Sequence, residues 1–207
     1  ILEMPESEIE SKLVSPQPFV WIKRQIPRVV AEKIADLNLP GVDYLIEARR
    51  YYPYNGAAGA LVGKVGVDGE GLSGLEMAYD LQLRAPDYSR RIIKDALGHA
   101  IQAATPDVDD FKMPRGRSLT LTIDASLQGI LTEELEKGRR AANAKSAMGV
   151  VVDADHGEIL AMAQAPAINF NFAKVASQAD LHNLVVETVF EPGSIMKPVV
   201  VAAALES

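Results

Sequence analysis

The sequence predicts an α+β protein in two parts, and three observations carry that expectation. Residues 116–207 read in order as a strand, a helix, a hairpin and an apolar helix. Residues 1–115 read as short helical and extended stretches broken by glycine and proline. Between them, residues 105–114 hold two prolines and three aspartates, the composition of a linker, so the module boundary is placed near residue 115.

In the first part, Pro27 followed by Val30, Ile34 and Leu37 spaces apolar residues as a short amphipathic helix does, and Asn38-Leu39-Pro40-Gly41 stops it. Residues 42–52 mix apolar and charged side chains and are expected to include a strand ending at Pro53. Residues 57–67 are glycine-rich and read as extended, and residues 75–83 as a helix. Ile92-Ile93-Lys94 and His99-Ala100-Ile101 flank Ala96-Leu97-Gly98 as strands flank a hairpin turn.

In the second part the periodicity sharpens. Leu119, Leu121 and Ile123 alternate with polar neighbours as a half-buried strand. Asp124 is placed to cap a helix in which Leu127, Ile130, Leu131 and Leu135 form one apolar stripe, closing near Gly138. The apolar runs 148–152 and 159–163 are joined by Asp153-Ala154-Asp155-His156-Gly157, a turn-forming cluster that predicts an antiparallel pair.

The strongest chemical signal is Phe190-Glu191-Pro192-Gly193-Ser194-Ile195-Met196-Lys197-Pro198. If a helix opens at Pro192-Gly193-Ser194, Ser194 and Lys197 share one face. Pro198 fits that start, because a proline is tolerated in the first turn, where its missing N–H costs little. Residues 199–205 are apolar on every side, the pattern of a helix buried in a core. A serine hydroxyl needs a neighbouring base, and burial together with the positive end of a helix dipole would disfavour the charged amine of Lys197. The bare S-x-x-K spacing is far more often an ordinary helix start with an exposed lysine, so the flanks must decide.

The flanking residues discriminate. The segment from Val189 through Pro198 resembles the active-site serine motif of class B penicillin-binding proteins, the peptidoglycan D,D-transpeptidases. Ser118-Leu119-Thr120-Leu121-Thr122-Ile123-Asp124-Ala125-Ser126-Leu127-Gln128 is similar to the entry into that family's transpeptidase domain, and residues 149–166 to its first strand pair. Arg50-Tyr51-Tyr52-Pro53, Gly71-Leu72-Ser73-Gly74-Leu75-Glu76 and Asp95-Ala96-Leu97-Gly98 resemble motifs of its non-catalytic pedestal. Phe19-Val20-Trp21-Ile22-Lys23-Arg24 and Leu39-Pro40-Gly41-Val42 tilt the resemblance toward the cell-division, septal branch.

The resemblance implies an elongated pedestal of the dimerisation type over residues 1–115, followed over residues 116–207 by the beginning of a β-lactamase-like serine transpeptidase domain. It implies Ser194 as nucleophile and Lys197 as its base, an acyl-enzyme, and no metal or organic cofactor. The implied partners are peptidoglycan stem peptides, β-lactams, a septal glycosyltransferase and other divisome membrane proteins. The implied place is the periplasmic side of the bacterial cytoplasmic membrane, with an anchoring N-terminal helix outside these residues. The family's S-x-N and K-[ST]-G motifs lie well downstream of the serine, and no Lys-Thr-Gly or Lys-Ser-Gly occurs in the 207 residues. The chain is therefore expected to be a fragment that does not turn over. A scaffold or interaction module of the divisome is the rival reading. A β-lactamase or β-lactam sensor shares the serine-lysine helix but lacks so long a pedestal.

Other signals are weaker. Gly69-Glu70-Gly71-Leu72-Ser73-Gly74 satisfies G-x-G-x-x-G, but Asp68 and Glu70 put negative charge where a pyrophosphate would lie. Glu76 reads as a first-turn carboxylate serving the helix dipole or an ion pair. His99, His156 and His182 are scattered and make a Ser-His-Asp triad a matter of folding coincidence. Asp107, Asp109 and Asp110 lack the spacing of a calcium loop. Tyr51, Tyr52 and Tyr54 read as an aromatic cluster ahead of a glycan grip, and Trp21 as a packing anchor.

Composition bounds the rest. With 48% hydrophobic and 24% charged residues the chain can bury one or two cores. The absence of cysteine excludes disulfides and thiol chemistry. A net charge of −7 argues against a general nucleic-acid or anionic-membrane surface, and no apolar run is long enough to span a bilayer.

Overall fold

The computed structural model describes residues 1–54, 56–86, 115–172 and 181–206. The expected hairpin at 92–101, the linker at 105–114, His99 and the three linker aspartates lie outside these residues. The chain divides into two compact units, Ile1–Arg50 and Tyr51–Ser207. This division falls well before residue 115, because residues 57–62 pack with the helix and hairpin that follow the linker, as described below.

The first unit has two short helices. Helix α1, Glu6–Leu13, starts after Pro5 with Glu6 and Glu8 in its first turn and Lys12 in its last, the charge order that complements a helix dipole. Lys12 pairs with Glu8 at 3.1 Å and donates to the Ile22 carbonyl at 2.8 Å, which ties α1 to the Trp21 segment. There Phe19 meets Trp21 edge to face at 5.0 Å, and the Arg24 guanidinium lies 4.8 Å from the Trp21 ring centre. A cleft of about 380 Å³ runs between α1 and residues 21–24. Helix α2, Arg28–Ala35, follows Pro27 as the spacing predicts, and Asn38 (φ 46°) and Gly41 (φ 80°) end it in left-handed conformations. The expected strand over residues 42–52 does not form. Its charged member Glu47 is instead held by Arg24 through two nitrogens, at 3.0 and 2.5 Å, with both side chains about one-fifth exposed.

The second unit begins with three short helices, α3 (Gly59–Val62), α4 (Gly74–Ala78) and α5 (Asp80–Leu83). The expected extended stretch at 57–67 is therefore interrupted by a helical turn, and the expected helix at 75–83 is broken at Tyr79. The break has a local cause: the Asp80 carboxylate turns to accept the Gly71 N–H at 2.7 Å. Glycine here serves backbone contact. A Cβ on Gly63 would strike the Ser73 carbonyl, and one on Gly71 the Glu76 carbonyl.

Helix α6, Ala125–Ala141, opens as its sequence dictates, with the Asp124 carboxylate accepting from the N–H groups of Ser126 and Leu127 at 2.8 and 2.9 Å. It runs three residues past Gly138, since the glycine meets nothing that would stop it. Strands β1 (Ala147–Val152) and β2 (Ile159–Ala165) form the expected antiparallel pair, with Gly149 opposite Ala163. Residues 119–123 form no strand. They reach β2 through Thr122 Oγ1, which donates to the Ile159 carbonyl, and the following Asp124 N–H bonds the Leu160 carbonyl as the chain turns into α6.

Small residues set the core. Ala161, Ala163 and Ala165 are all below 5% exposed, and Phe170 stacks obliquely on Tyr52 at 5.9 Å. Helix α6 covers the Gly149 and Ala163 side of the hairpin, where Leu131 and Leu135 occupy the space a Cβ on Gly149 would enter. The stripe of α6 is rotated from expectation: Ile130 is 59% exposed and Leu127 37%, while Gln128 is 2% exposed. Helix α7, Leu184–Glu187, lies across β1 and β2.

Two stability tests follow from α6. Gly149→Val should lower the melting temperature by overpacking worth about 1–3 kcal/mol, whereas Gly138→Ala, with open space around it, should raise stability by about 0.5–1 kcal/mol. Equal signs for the two would contradict this packing. Hydrogen bonds from Arg139 and Arg140 hold the Glu136 carboxyl at about 2, below its ordinary 4.5. A carboxyl depressed in the folded state stabilises above its unfolded value and loses that effect as pH falls toward its folded one. The melting difference between the chain and Glu136→Gln should therefore shrink between about pH 4.5 and pH 2; a constant difference across that window would contradict the pairing.

Candidate functional site

The serine segment is built by a tight turn. Pro192 is helical (φ −70°, ψ −23°), Gly193 takes φ 52°, and Gly193–Met196 form a 3₁₀ turn. Ile195 N–H donates to the Pro192 carbonyl at 3.1 Å, and Lys197 N–H to the Ser194 carbonyl. Helix α8, Lys197–Glu206, then continues with Pro198 second, where a missing N–H is harmless. Residues three apart in a 3₁₀ turn eclipse one another, so Ser194 and Lys197 stand on one face. The helix thus opens one turn later as α-helix than the sequence suggests, with Ser194 inside the 3₁₀ entry.

The expected burial is not found. Ser194, Lys197 and every residue of α8 are exposed, with Val200 at 63% and Leu205 at 84%. Among the described residues only the preceding 3₁₀ turn packs closely on α8, so its all-round apolar surface has nothing to lie against. No hydrogen bond joins the Ser194 hydroxyl to Lys197 among the described residues.

The rival sites resolve into structural roles. His156 pairs with Asp153 at 2.8 Å within the hairpin turn, and His182 pairs with Glu187. Neither reaches Ser194, so no Ser-His-Asp triad exists among the described residues. The G-x-G-x-x-G stretch is a closed turn, with Gly66 N–H on the Glu70 carbonyl at 2.8 Å and a bridge between Val65 and Gly71. The five-residue α4 behind it leaves little helix dipole for an anion. Glu76 is 5% exposed. Tyr52 is packed, with its hydroxyl on the Val65 N–H at 3.1 Å, while Tyr51 and Tyr54 are exposed. No group of three or more metal-ligating side chains occurs among the described residues.

Sequence reasoning missed the amides that organise this unit. Gln128 Nε2 donates to the carbonyls of Ala57 and Met162 at 2.6 and 2.9 Å, and its Oε1 accepts the Met162 N–H at 2.9 Å. Gln164 Oε1 accepts the Leu184 N–H at 2.7 Å. Asn183 caps α7 through Val185 N–H at 3.1 Å and donates to the Met162 sulfur at 3.6 Å. The available signal for Gln128 was its position three and seven residues before Leu131 and Leu135, on the face that packs.

Comparison with known proteins places this geometry. Residues 1–121 match the penicillin-binding protein dimerisation domain, and residues 147–207 the penicillin-binding protein transpeptidase domain. The chain is 35% identical to peptidoglycan D,D-transpeptidase FtsI of Escherichia coli over 91% of its length, covering 31% of that protein. It is 32% identical to the probable peptidoglycan D,D-transpeptidase PenA of Neisseria meningitidis over its whole length, covering 36% of it. The crystal structure of penicillin-binding protein 3 from Mycobacterium tuberculosis superposes with a TM-score of 0.60 at 32% identity, over 78% of this chain and 33% of that one. The chain thus spans about a third of the length of the relatives it matches. With a dimerisation-domain match over more than half its residues and the opening of a transpeptidase domain behind it, the chain belongs to the penicillin-binding proteins.

Proposed function

We propose that the protein containing this chain is a septal peptidoglycan D,D-transpeptidase, with residues 1–115 as pedestal and 116–207 as the opening of its catalytic domain. The observation that carries this reading is the Ser194 and Lys197 pair, one 3₁₀ turn apart, inside the segment that matches the transpeptidase family. Ser194 Oγ attacks the carbonyl carbon of a stem-peptide D-Ala-D-Ala bond as its proton passes to the Lys197 amine. The C–N bond then breaks, the terminal D-Ala leaves as an amine that takes up the proton, and the penultimate residue remains as an ester on Ser194. The amine of a second stem peptide attacks that ester, and the serine hydroxyl is regenerated. Two backbone N–H groups stabilise the oxyanion, that of Ser194 at the helix opening and one from the downstream K-[ST]-G strand.

A β-lactam acylates the same serine; two further structures of the Mycobacterium tuberculosis relative carry aztreonam and ampicillin. The reading assigns no cofactor. It places the protein on the periplasmic face of the cytoplasmic membrane. No helix among the described residues is long and apolar enough to cross that membrane. A scaffold role beside the glycosyltransferase and other divisome proteins is favoured by one feature, the open cleft of the first unit, lined by Trp21 and Ile22 together with the charged Glu8, Lys12, Lys23 and Arg24.

Incubated with a fluorescent penicillin, the natural full-length protein should take one label and lose it in Ser194→Ala. Lys197→Ala should slow acylation by about a hundredfold or more, the scale of general-base catalysis. The 207-residue chain alone, lacking K-[ST]-G, should not label stoichiometrically. Labelling that survives Ser194→Ala would overturn the assignment.

A further inference from the structure

Among the described residues β2 has β1 on one side only, so the backbone groups of its other edge must find partners outside the sheet. Leu160 and Met162 point their backbone groups to that edge, where the Asp124 N–H meets Leu160 and the Gln128 amide meets Met162. The Gln128 side chain both donates to and accepts from Met162, which is how a neighbouring strand would pair with it. The same amide nitrogen reaches the Ala57 carbonyl, which Thr132 Oγ1 also approaches at 2.9 Å. One buried amide therefore ties together the loop at residue 57, within the dimerisation-domain match, and a strand within the transpeptidase match.

Met162 and Gln164 turn their side chains to the hairpin face opposite α6, and both hold the start of α7. Asn183 Nδ2 donates to the Met162 sulfur, and Leu184 N–H to Gln164 Oε1. Glu187 closes this helix by accepting the Asn183 N–H at 2.8 Å. Five residues after α7 the Pro192 turn begins and delivers Ser194. Whatever fixes Met162 thus fixes the seat of the last anchored element before the serine.

We propose that Gln128 is a positioning residue for Ser194: its buried amide holds the outer edge of β2, the strand whose face opposite α6 seats α7, the last packed element before the serine. This rests on the acyl-transfer reading of Ser194. Gln128 touches no substrate and acts through Met162, Gln164 and α7.

The consequence of substitution follows from donor and acceptor counting. Methionine fills the volume of glutamine and supplies no hydrogen bond, so Gln128→Met leaves the Met162 N–H and carbonyl without partners in a buried place. Glutamate keeps an acceptor for the Met162 N–H but sets a carboxylate against two carbonyls. Protonation restores one donor, so Gln128→Glu should recover as pH falls.

Two measurements test the proposal. In amide hydrogen exchange on the 207-residue chain, Gln128→Met should speed exchange at Met162 and Leu184 together by about tenfold or more. In the natural full-length protein the same substitution should slow β-lactam acylation by about tenfold or more, with the final label still one per molecule. Gln128→Glu should regain part of both at lower pH. Faster exchange at Met162 with Leu184 and the acylation rate unchanged would overturn the proposal, leaving Gln128 as an edge cover only. If Gln128→Met does not fold, exchange on the unaltered chain decides: Met162 and Leu184 must open with the same free energy, and independent opening overturns the link. Failure of Ser194 to acylate in the unaltered protein would refute the transpeptidase reading and leave the exchange result to judge the link from Met162 to Leu184 alone.

Discussion

The second unit depends on one side-chain amide sealed between a helix, a loop and a strand edge. Gln128 is 2% exposed and hydrogen-bonded at both its oxygen and its nitrogen, so its burial carries no unsatisfied polar group. An aliphatic residue there would pack equally well but would leave the edge of β2 without partners. The alanines of β2 and Gly149 of β1 bring α6 close enough for the amide to reach. Close backbone approach of Gly63 to Gly74 and of Gly71 to the Glu76 carbonyl allows residues 56–83 to fold tightly beside it.

What was legible in the sequence was local. Asp124 capped its helix because a carboxylate ahead of an apolar period has one common use, and the strands around Asp153 to Gly157 paired because turn chemistry and two short flanking apolar runs agreed. The short helix α2 followed its spacing and its stop signal for the same reason. Residues 42–52 and 119–123 failed as strands because an extended pattern becomes a strand only with a partner, and side-chain hydrogen bonds took its place: Arg24 to the Glu47 carboxylate, Thr122 to the Ile159 carbonyl. Gln128 was invisible because a polar residue on an apolar stripe is ordinarily read as exposed, and its partners lie 71 and 34 residues away.

The serine site shows the same division. Proline, glycine and the three-residue interval specified a helical turn with Ser194 and Lys197 on one face, and that turn forms. Burial of α8 is a tertiary property, which the surrounding fold must supply, and within this chain the helix lies open. A hydroxyl beside a solvated amine is a weak nucleophile. On the proposed acyl-transfer reading, Ser194 and Lys197 need α8 to be enclosed before the amine can lose its charge; the relatives are about three times the length of this chain.

The most direct test is peptide mapping by mass spectrometry after brief exposure of the natural full-length protein to a penicillin. A single adduct of the drug's mass is expected, on the peptide containing Ser194. An adduct on any other peptide, or none with the protein folded, would contradict it.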